Sequence, residues 1–424
     1  MSRSTPETTD LGQPVAGNGL LDRRVLLRSG VALAGLIGAR AVQADALVVP
    51  EWSRQPGAAF TGYGQPSPHE SAAMRFARTR TGAPGTGSAR TPLQYLQGTV
   101  TPNGLHFERN HNGCPAIDPD AHRFLIHGLV KRPLLFTLEA LSRYPMVSRM
   151  AFIECAGNSD PLLDPEPLDA NVQIIHGLVS CAEWTGVPLS LLLDEAGVDP
   201  TAQWLLAESA DAAAFSRSVP LAKARDDALI ALYQNGERLR PSNGYPMRLL
   251  LPGYEGSMQV KWLRRIKVTA QPTMTRDETS HYSMLLRDGR VAQFKYLMDA
   301  KSVITQPSPG LAMHGPGLCE ISGLAWSGAG RIAKVEVSAD GGRSWALALM
   351  SEPVLPKAFT RFRAPWMWSG GPAVLQSRAT DESGYVQPSR DALIAARGDK
   401  VEYHCNAITS WAVNESGQVR HVFV

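Results

Sequence analysis

The stretch from Ala151 to Asn158, Ala-Phe-Ile-Glu-Cys-Ala-Gly-Asn, places one cysteine where an apolar run meets a turn. The apolar residues before the cysteine predict a buried strand, and the Gly-Asn pair after it is a turn signal that ends the strand. We therefore expect Cys155 at a strand end, where functional groups of α/β sheets are commonly found. Its thiolate could act as a nucleophile or as a soft ligand of a transition metal. On this segment alone, a buried structural cysteine is the alternative.

The length and composition of the chain limit the classes of protein to consider. A chain of 424 residues with 44% hydrophobic content predicts two folded units plus extensions. The net charge of +3 is mild and predicts no nucleic-acid partner. The five cysteines include no Cys-x-x-Cys pair, so the chain has no c-type haem attachment motif and no zinc ribbon of ordinary spacing.

The first 44 residues have the pattern of an export signal. Met1 to Gly19 is polar and is predicted to be disordered. Arg23-Arg24 is followed by a weakly apolar run and an alanine-rich cleavage zone, which is the pattern of a twin-arginine signal peptide over residues 1–44. A membrane anchor is the alternative, but about fifteen moderately apolar residues are too few to span a bilayer. We expect export to the periplasm in the folded state, and no membrane span in the mature chain.

Three further regions follow the signal. Residues 45–90 are rich in Pro, Gly and Ser and predict an extended arm that wraps the surface or covers a site. Residues 91–300 predict an α+β domain, with strands that include Arg149–Cys155 and Gln173–Val179 and a helix at Leu189–Ala196. No glycine-rich nucleotide-binding motif is present.

Residues 301–424 change to short alternating strands, with Asp340-Gly341-Gly342 as a hairpin turn between two of them. This pattern predicts an immunoglobulin-like β-sandwich. The fold class is therefore α+β followed by a sandwich. A sandwich has no chemistry of its own, so we expect it to bind a partner or a second copy of the chain.

Six short motifs occur in the order typical of one enzyme family, and together they run from about Leu105 to the C-terminus. The motifs are Phe-Glu-Arg-Asn-His at 107–111, Glu-Cys-Ala-Gly-Asn at 154–158, Ala-Glu-Trp-Thr-Gly-Val-Pro-Leu at 182–189, Gly-Tyr-Pro-Met-Arg at 244–248, Gln-Val-Lys-Trp-Leu at 259–263 and Tyr-Val-Gln-Pro at 385–388. By these motifs the chain resembles the sulfite oxidase family of molybdopterin enzymes.

The resemblance implies one molybdenum-molybdopterin cofactor per chain, with Cys155 as the protein ligand of the metal, a role that suits a soft thiolate. It implies that arginine and lysine hold the pterin phosphate through charge-assisted hydrogen bonds. For the basic residues the alternative is a solvated surface charge, and for His111 it is a histidine satisfied in the core. The implied cofactor-binding residues are Phe107, Arg109, Asn110, His111, Asp211, Asn243, Arg248, Gln259, Val260 and Lys261.

The sequence departs from the sulfite-oxidising members of the family around the substrate. Arg109 is retained as one substrate arginine, but Asp160 stands where a second arginine is usual, which exchanges a positive for a negative charge beside the metal. The segment Ser410–Asn414 lacks a further arginine, and Ile174 stands where a tryptophan is expected. The shortened segment around residue 282 leaves the usual tyrosine either missing or supplied by Tyr282.

These departures disfavour free sulfite as the substrate. In them the chain resembles the members of the family that oxidise sulfane sulfur attached to a cysteine of a carrier protein. In those members oxygen from water is transferred to sulfur, and two electrons per turn pass to a separate c-type cytochrome subunit. The resemblance also implies a homodimer through the C-terminal domain, or a heterotetramer with two cytochrome subunits.

Three alternatives remain open. The first is a sulfite dehydrogenase that acts on free sulfite. The second is a molybdopterin reductase of protein methionine sulfoxide, which the C-terminal sandwich disfavours because those enzymes resemble the catalytic domain alone. The third is an exported immunoglobulin-like binding protein that has lost its cofactor.

Overall fold

The computed structural model describes residues 13–25, 49–313, 315–399 and 402–424. The apolar run and the cleavage zone of the expected signal peptide lie outside these residues. Within them, no helix is both long enough and apolar enough to cross a membrane. The architecture confirms an α+β domain followed by a β-sandwich.

The first sheet forms inside the region that we expected to be an extended arm. Strands β1 (Phe76–Thr79) and β2 (Gly87–Arg90) make an antiparallel hairpin, and β2 pairs with β3 (Glu108–Asn110). The prediction of an arm without regular structure up to residue 90 is therefore wrong at its C-terminal end. The hairpin forms because β3, which belongs to the catalytic domain, offers an edge that the local sequence of the arm does not reveal.

Two five-stranded sheets and four short helices build the catalytic domain. The strands are β4 (Phe124–Gly128), β5 (Leu134–Phe136), β6 (Val147–Glu154), β7 (Val179–Pro188), β8 (Trp204–Ser209), β9 (Ser216–Pro220), β10 (Leu229–Gln234), β11 (Glu237–Arg238), β12 (Arg248–Leu250) and β13 (Leu263–Thr269). One sheet has the order β11-β10-β7-β6 with β12 on β10, and the other has the order β5-β4-β13-β8-β9. The helices are α1 (Leu138–Ser142), α2 (Val172–His176), α3 (Leu189–Ala196) and α4 (Leu221–Asp226).

Two of these elements test the local predictions. Helix α3 confirms the predicted helix, with Leu189, Leu192, Leu193 and Ala196 buried on one face and Gly197 ending it in the left-handed region. The strand predicted at Gln173–Val179 is wrong, because α2 occupies most of it. The Asn171 side chain accepts a hydrogen bond of 3.0 Å from the Ile174 amide, and this N-cap favours a helix over a strand.

The C-terminal domain is a sandwich of two sheets. The small hairpin of β14 (Met284–Leu285) and β15 (Val291–Ala292) precedes it in the chain. The strands of the sandwich are β16 (Lys301–Gln306), β17 (Gly317–Trp326), β18 (Ile332–Ser338), β19 (Ala346–Leu347), β20 (Leu349–Met350), β21 (Thr360–Trp368), β22 (Ala373–Asp381), β23 (Ser410–Val413) and β24 (Val419–Val422), with helix α5 (Arg390–Arg397) between β22 and β23. The sheets have the orders β16-β17-β21-β20 and β19-β18-β22-β23-β24. The turn predicted at 340–342 is confirmed between β18 and β19.

One apolar cluster joins the two domains. Phe152 of β6 and Cys181 of β7 are fully buried in the same cluster as Trp326 and Phe359 of the sandwich side. The amide of Phe152 also donates to the Lys357 carbonyl at 3.0 Å. The strand that ends at the motif cysteine is therefore packed directly against the second domain.

The described N-terminal segment lies on the sandwich. Leu20 bridges Trp366 in an antiparallel arrangement, and both leucines of the Leu20-Leu21 pair are buried. The predicted disorder of residues 1–19 is thus wrong for the described part of that range, because this segment finds an apolar slot at the edge of β21. Arg23 and Arg24, which follow it, are exposed.

Candidate active site

Cys155 follows the last residue of β6, as the sequence predicted. Its amide donates to the Leu178 carbonyl at 2.9 Å, and its carbonyl accepts from the Asn158 amide at 2.9 Å, which closes a tight turn around the cysteine. Burial raises the pKa of the Cys155 thiol, while the Gly157 amide and the Arg109 guanidinium act in the opposite direction. Burial therefore favours the neutral thiol. A positive charge beside the sulfur, such as a bound metal ion, would favour the thiolate.

One cavity extends from Cys155 between the two catalytic sheets. All ten cofactor-binding positions predicted from the sequence line it together with the cysteine. They are Phe107, Arg109, Asn110, His111, Asp211, Asn243, Arg248, Gln259, Val260 and Lys261. The structure thus brings into one cavity residues that are up to 154 positions apart in the chain, from Phe107 to Lys261.

Two cations lie at the end of this cavity. Arg248 donates to the carbonyls of Asn243 and Gln259, each at 2.9 Å, and Lys261 donates to the Ser242 carbonyl at 2.9 Å and to the Asn110 side-chain oxygen. Burial lowers the pKa of Arg248 to about 9 and that of Lys261 to about 7.

Neither cation forms an ion pair with a carboxylate in the part of the chain that the structure describes. Two buried positive charges without an anion are costly, and a bound phosphate would neutralise them.

Two buried nitrogens support the same conclusion. Arg248 Nε and His106 Nε2 have no hydrogen-bond partner among the described residues, and both residues line the cavity. Unpaired buried polar atoms are unusual in native proteins, so they indicate a ligand with matching polar atoms. Burial lowers the pKa of His106 to about 3, which keeps the ring neutral. The sequence motifs missed His106, although it directly precedes the first of them. The donors present therefore fit a molybdopterin with a terminal phosphate.

His111 lies at the other end of the cavity, towards the cysteine. Its ring stacks on Phe215 with 5.3 Å between the ring centroids, and its Nε2 lies 3.3 Å from the hydroxyl of Tyr282. Burial lowers the pKa of His111 to about 4 and raises the pKa of Tyr282. Both side chains are thus neutral near pH 7. Tyr282 lines the cavity, so the shortened segment still supplies a tyrosine here.

Three of the predicted residues use their side chains to bond other parts of the protein, two of them backbone groups and one a side chain. The Gln259 amide bonds both the Leu251 amide and the Leu251 carbonyl at 2.6 Å, and Asn243 donates to the Gln234 side chain at 2.7 Å. Asp211 accepts from the Phe215 amide at 3.1 Å. These contacts fix the shape of the cavity wall that the three residues line.

Asp160 lies outside that cavity, in a wider mouth of about 820 Å³ that opens above Cys155. Arg109, His111 and Tyr282 line both spaces. Loss of hydration raises the pKa of the Asp160 carboxyl, and Arg90 counteracts this shift. The structure thus places the Asp160 carboxyl at the entrance to the site and not among the cofactor-binding residues.

The hairpin of β1 and β2 brings two arginines to this mouth that the sequence reasoning missed. Arg80 follows β1, and Arg90 ends β2, where its guanidinium donates to the Ile174 carbonyl at 2.6 Å. Three arginines, at 80, 90 and 109, therefore face four carboxylates, Asp160, Asp164, Asp399 and Glu402, which leaves a net charge of −1. The sequence carries little signal for this hairpin, since only Arg78 and Arg80 alternate and the pairing depends on the edge of β3.

The C-terminal segment that meets the mouth differs from the one we considered. Ser410–Val413 forms β23, and its Trp411 is fully buried in the sandwich core, away from the residues that line the mouth. Tyr403, with Glu402, lines the mouth instead, and its ring lies 5.4 Å from that of Tyr282. The sandwich half of the chain therefore contributes Asp399, Glu402 and Tyr403 to the entrance.

Two protein-family models match the chain. The oxidoreductase molybdopterin binding domain covers residues 111–276, and the Mo-co oxidoreductase dimerisation domain covers residues 292–410. The match of the first contains Cys155 and most of the cavity residues, and the match of the second contains most of the sandwich.

Known proteins are similar over most of the chain. Sulfite oxidase from Gallus gallus is 32% identical over 332 residues, which are 72% of each protein. Nitrate reductase from Phytophthora infestans is 30% identical over 314 residues, but these are only 34% of that protein. The crystal structure of the sulfane dehydrogenase SoxCD from Paracoccus pantotrophus matches with a TM-score of 0.86 and 45% identity, and it covers 89% of this chain and 98% of the matched chain.

Proposed function

Because this chain belongs to the sulfite oxidase family of molybdopterin oxidoreductases, we propose that it oxidises sulfane sulfur presented on a cysteine of a carrier protein. The electrons leave to a separate c-type cytochrome subunit. The similarity to the sulfane dehydrogenase SoxCD supports this substrate within the family. The absence of a Cys-x-x-Cys pair in the sequence supports an acceptor on another chain.

The observation that carries the proposal is the charge and width of the mouth. A net charge of −1 does not attract a dianion such as sulfite, because opposite signs are needed to concentrate an ion in a cleft. A cavity of about 820 Å³ is within the range that holds a drug-sized ligand and is far larger than sulfite requires. Such an entrance suits a nearly neutral sulfur carried on a larger molecule.

The residues of the chain then have distinct tasks. The cofactor, when bound, supplies a two-electron oxidation in which the oxygen comes from water. Cys155 would hold the metal, and Arg248 and Lys261 would hold the phosphate, where their charges are otherwise uncompensated. Neutral His111 and Tyr282 sit beside the cysteine end of the cavity, where Nε2 lies 3.3 Å from the hydroxyl and the pair can orient a substrate through hydrogen bonds.

The test compares two substrates on the purified holoenzyme with a measured content of one molybdenum per chain. A peptide that carries a cysteine persulfide is the sulfane probe, free sulfite is the competitor, and cytochrome c reduction is the readout. We expect turnover of the persulfide peptide and little turnover of sulfite. Brisk sulfite oxidation with an inert persulfide peptide would refute the proposal and leave a sulfite dehydrogenase.

One observation favours that second candidate. Arg80, Arg90 and Arg109 lie on one side of the mouth and could bind a small anion locally, even though the whole mouth is slightly negative. An inert protein without molybdenum after proper maturation would instead support the third possibility, a binding protein.

Assembly and location are part of the same proposal. The match of the sandwich to a dimerisation domain supports an oligomer, either a homodimer through this domain or a heterotetramer with two cytochrome subunits. The exposed Arg23-Arg24 pair supports export by the twin-arginine route to the periplasm.

A further inference from the structure

The residue before the motif cysteine makes a buried contact with the other domain. The Glu154 carboxylate accepts hydrogen bonds from Lys301 Nζ at 2.7 Å and from Trp326 Nε1 at 2.7 Å. Lys301 begins β16 and Trp326 ends β17, so both donors belong to the sandwich. The three side chains are 0 to 1% exposed. A charge pair this deep is held in one geometry, because water cannot replace either partner.

The same carboxylate also fixes the far end of the cysteine turn. Glu154 Oε1 accepts from the Asn158 side-chain amide at 2.9 Å, and the Asn158 side-chain oxygen accepts from the Leu178 amide at 3.1 Å. Glu154 and Asn158 bracket Cys155 in the chain. The two ends of the turn are thus tied together through one carboxylate that the sandwich holds.

Two further contacts enclose the turn. The His404 amide, from the segment between α5 and β23, donates to the Ala156 carbonyl at 2.8 Å. On the opposite side Gly256 approaches so closely that a Cβ there would lie 2.9 Å from the Glu154 carbonyl oxygen and 3.2 Å from Cys155 Cα. The backbone around the cysteine therefore has little room to move, and three of the hydrogen bonds that restrain it come from the C-terminal half of the chain.

We propose that Lys301 and Trp326 of the sandwich are positioning residues that orient the Cys155 thiolate through Glu154. The sandwich is then a working part of the active site, in addition to any role in assembly. This inference rests on the proposed function in so far as Cys155 is the metal ligand. Its reasoning concerns only the geometry of the turn, which exists in the protein with or without the cofactor.

The first test removes the Lys301–Glu154 ion pair and compares the effect with the loss of another ion pair between the two domains. Lys301→Met removes the ammonium but keeps the length of the side chain. Lys357→Met is the control, because Lys357 also pairs across the two domains, with Asp227 at 2.6 Å, but does not contact the cysteine turn. The readout is the rate at which iodoacetamide alkylates Cys155 in the full-length, cofactor-free chain, with Cys319 as the internal reference.

We expect Lys301→Met to change the Cys155 rate at least about fivefold relative to Cys319, and Lys357→Met to leave it within about twofold. In the loaded enzyme, the thiolate-to-metal absorption band should shift in the first variant only. Equal alkylation rates in the two variants would overturn the positioning role. The Lys301–Glu154 pair would then serve only to hold the two domains together.

A milder variant covers the case in which Lys301→Met does not fold. Trp326→Phe keeps an aromatic ring in the core but removes one hydrogen bond to Glu154, and Trp345→Phe is its control, since that indole bonds only the Gly342 carbonyl at 3.0 Å. The Trp326 variant should move the Cys155 alkylation rate in the same direction as Lys301→Met. An unchanged rate in a folded Trp326→Phe protein would refute the inference. Because this rate needs no metal, it remains informative even if the proposed substrate is wrong.

Discussion

The indole Nε1 of Trp366 donates a hydrogen bond of 2.7 Å to the carbonyl of Asn18, and so fastens the N-terminal segment to the sandwich. The fit is close on both sides of Asn18. A Cβ at Gly17 would lie 2.1 Å from Asp340 Oδ2, and a Cβ at Gly19 would lie 2.1 Å from the Met367 carbonyl oxygen. Gly19 also has a φ of +84°, which side chains rarely adopt. A side chain at Gly19 would therefore clash with backbone, whereas one at Gly17 would have to displace the Asp340 carboxylate.

The first prediction follows from this fit. In the full-length chain, Gly19→Val should release the segment and speed tryptic cleavage after Arg23 and Arg24 by about tenfold or more, because the buried Leu20-Leu21 pair no longer holds the docked form. Mass spectrometry of timed digests measures the rate. Gly62→Val is the matched control, since a Cβ at Gly62 meets nothing within 4 Å. Equal rates in the two variants would show that the segment is not docked in solution.

The second prediction concerns Cys155, the proposed metal ligand. Cys155→Ser should lower turnover by more than about 100-fold, because it removes the only soft protein donor at the cysteine end of the cavity within the described residues. The change is close to isosteric, so the melting temperature should stay within a few degrees. Steady-state kinetics and thermal melting provide the two measurements. Turnover like that of the unmodified protein would refute the assignment of Cys155.

The third prediction concerns the charge of the mouth. Asp160→Arg changes its net charge from −1 to +1 and should raise kcat/KM for free sulfite about tenfold at low ionic strength, with a smaller gain in salt. Glu166→Arg makes the same change in charge at an exposed position that does not line the mouth. If both variants gain equally, the effect arises from net charge and not from the site. If neither gains, Asp160 does not control access of sulfite.

The fourth prediction uses the lowered pKa of Lys261, about 7 in the folded protein against about 10.4 for an exposed lysine. Between these values the unfolded chain binds the proton and the folded chain does not, so unfolding takes up a proton and stability rises with pH. Below pH 7 both states are protonated and the cost of the buried charge is constant. The cofactor-free chain should therefore gain stability from about pH 7 to about pH 10.

Lys261→Met tests this prediction, because it should remove that part of the pH dependence and raise stability most at neutral and lower pH. The measurement is the melting temperature of both cofactor-free proteins at a series of pH values. The loaded Lys261→Met enzyme should also retain less molybdenum, since a phosphate anchor is lost. Parallel pH curves for the two proteins would contradict the lowered pKa.

The family resemblance of the sequence by itself determined the cofactor class and all ten cavity positions, and its local pattern determined that Cys155 lies at a strand end. It could do so because the family's motifs are short, contiguous runs that can be recognised without knowledge of the fold, such as Cys155 before Gly157-Asn158, while Asp211 and Asn243 follow from the resemblance alone. It also determined the order of the two domains, since the change to alternating strands after residue 301 is a local pattern.

Only the tertiary structure decided which residues surround those motifs. The arm hairpin exists because β3 offers an edge to β2, and it carries Arg90 to within reach of Asp160, a pairing that no local pattern encodes. The strand predicted at Gln173–Val179 became a helix because the Asn171 cap outweighed β-propensity. Lys301 meets Glu154 across 147 positions of chain, since burying two charges is tolerable only where the folded domains bring them together.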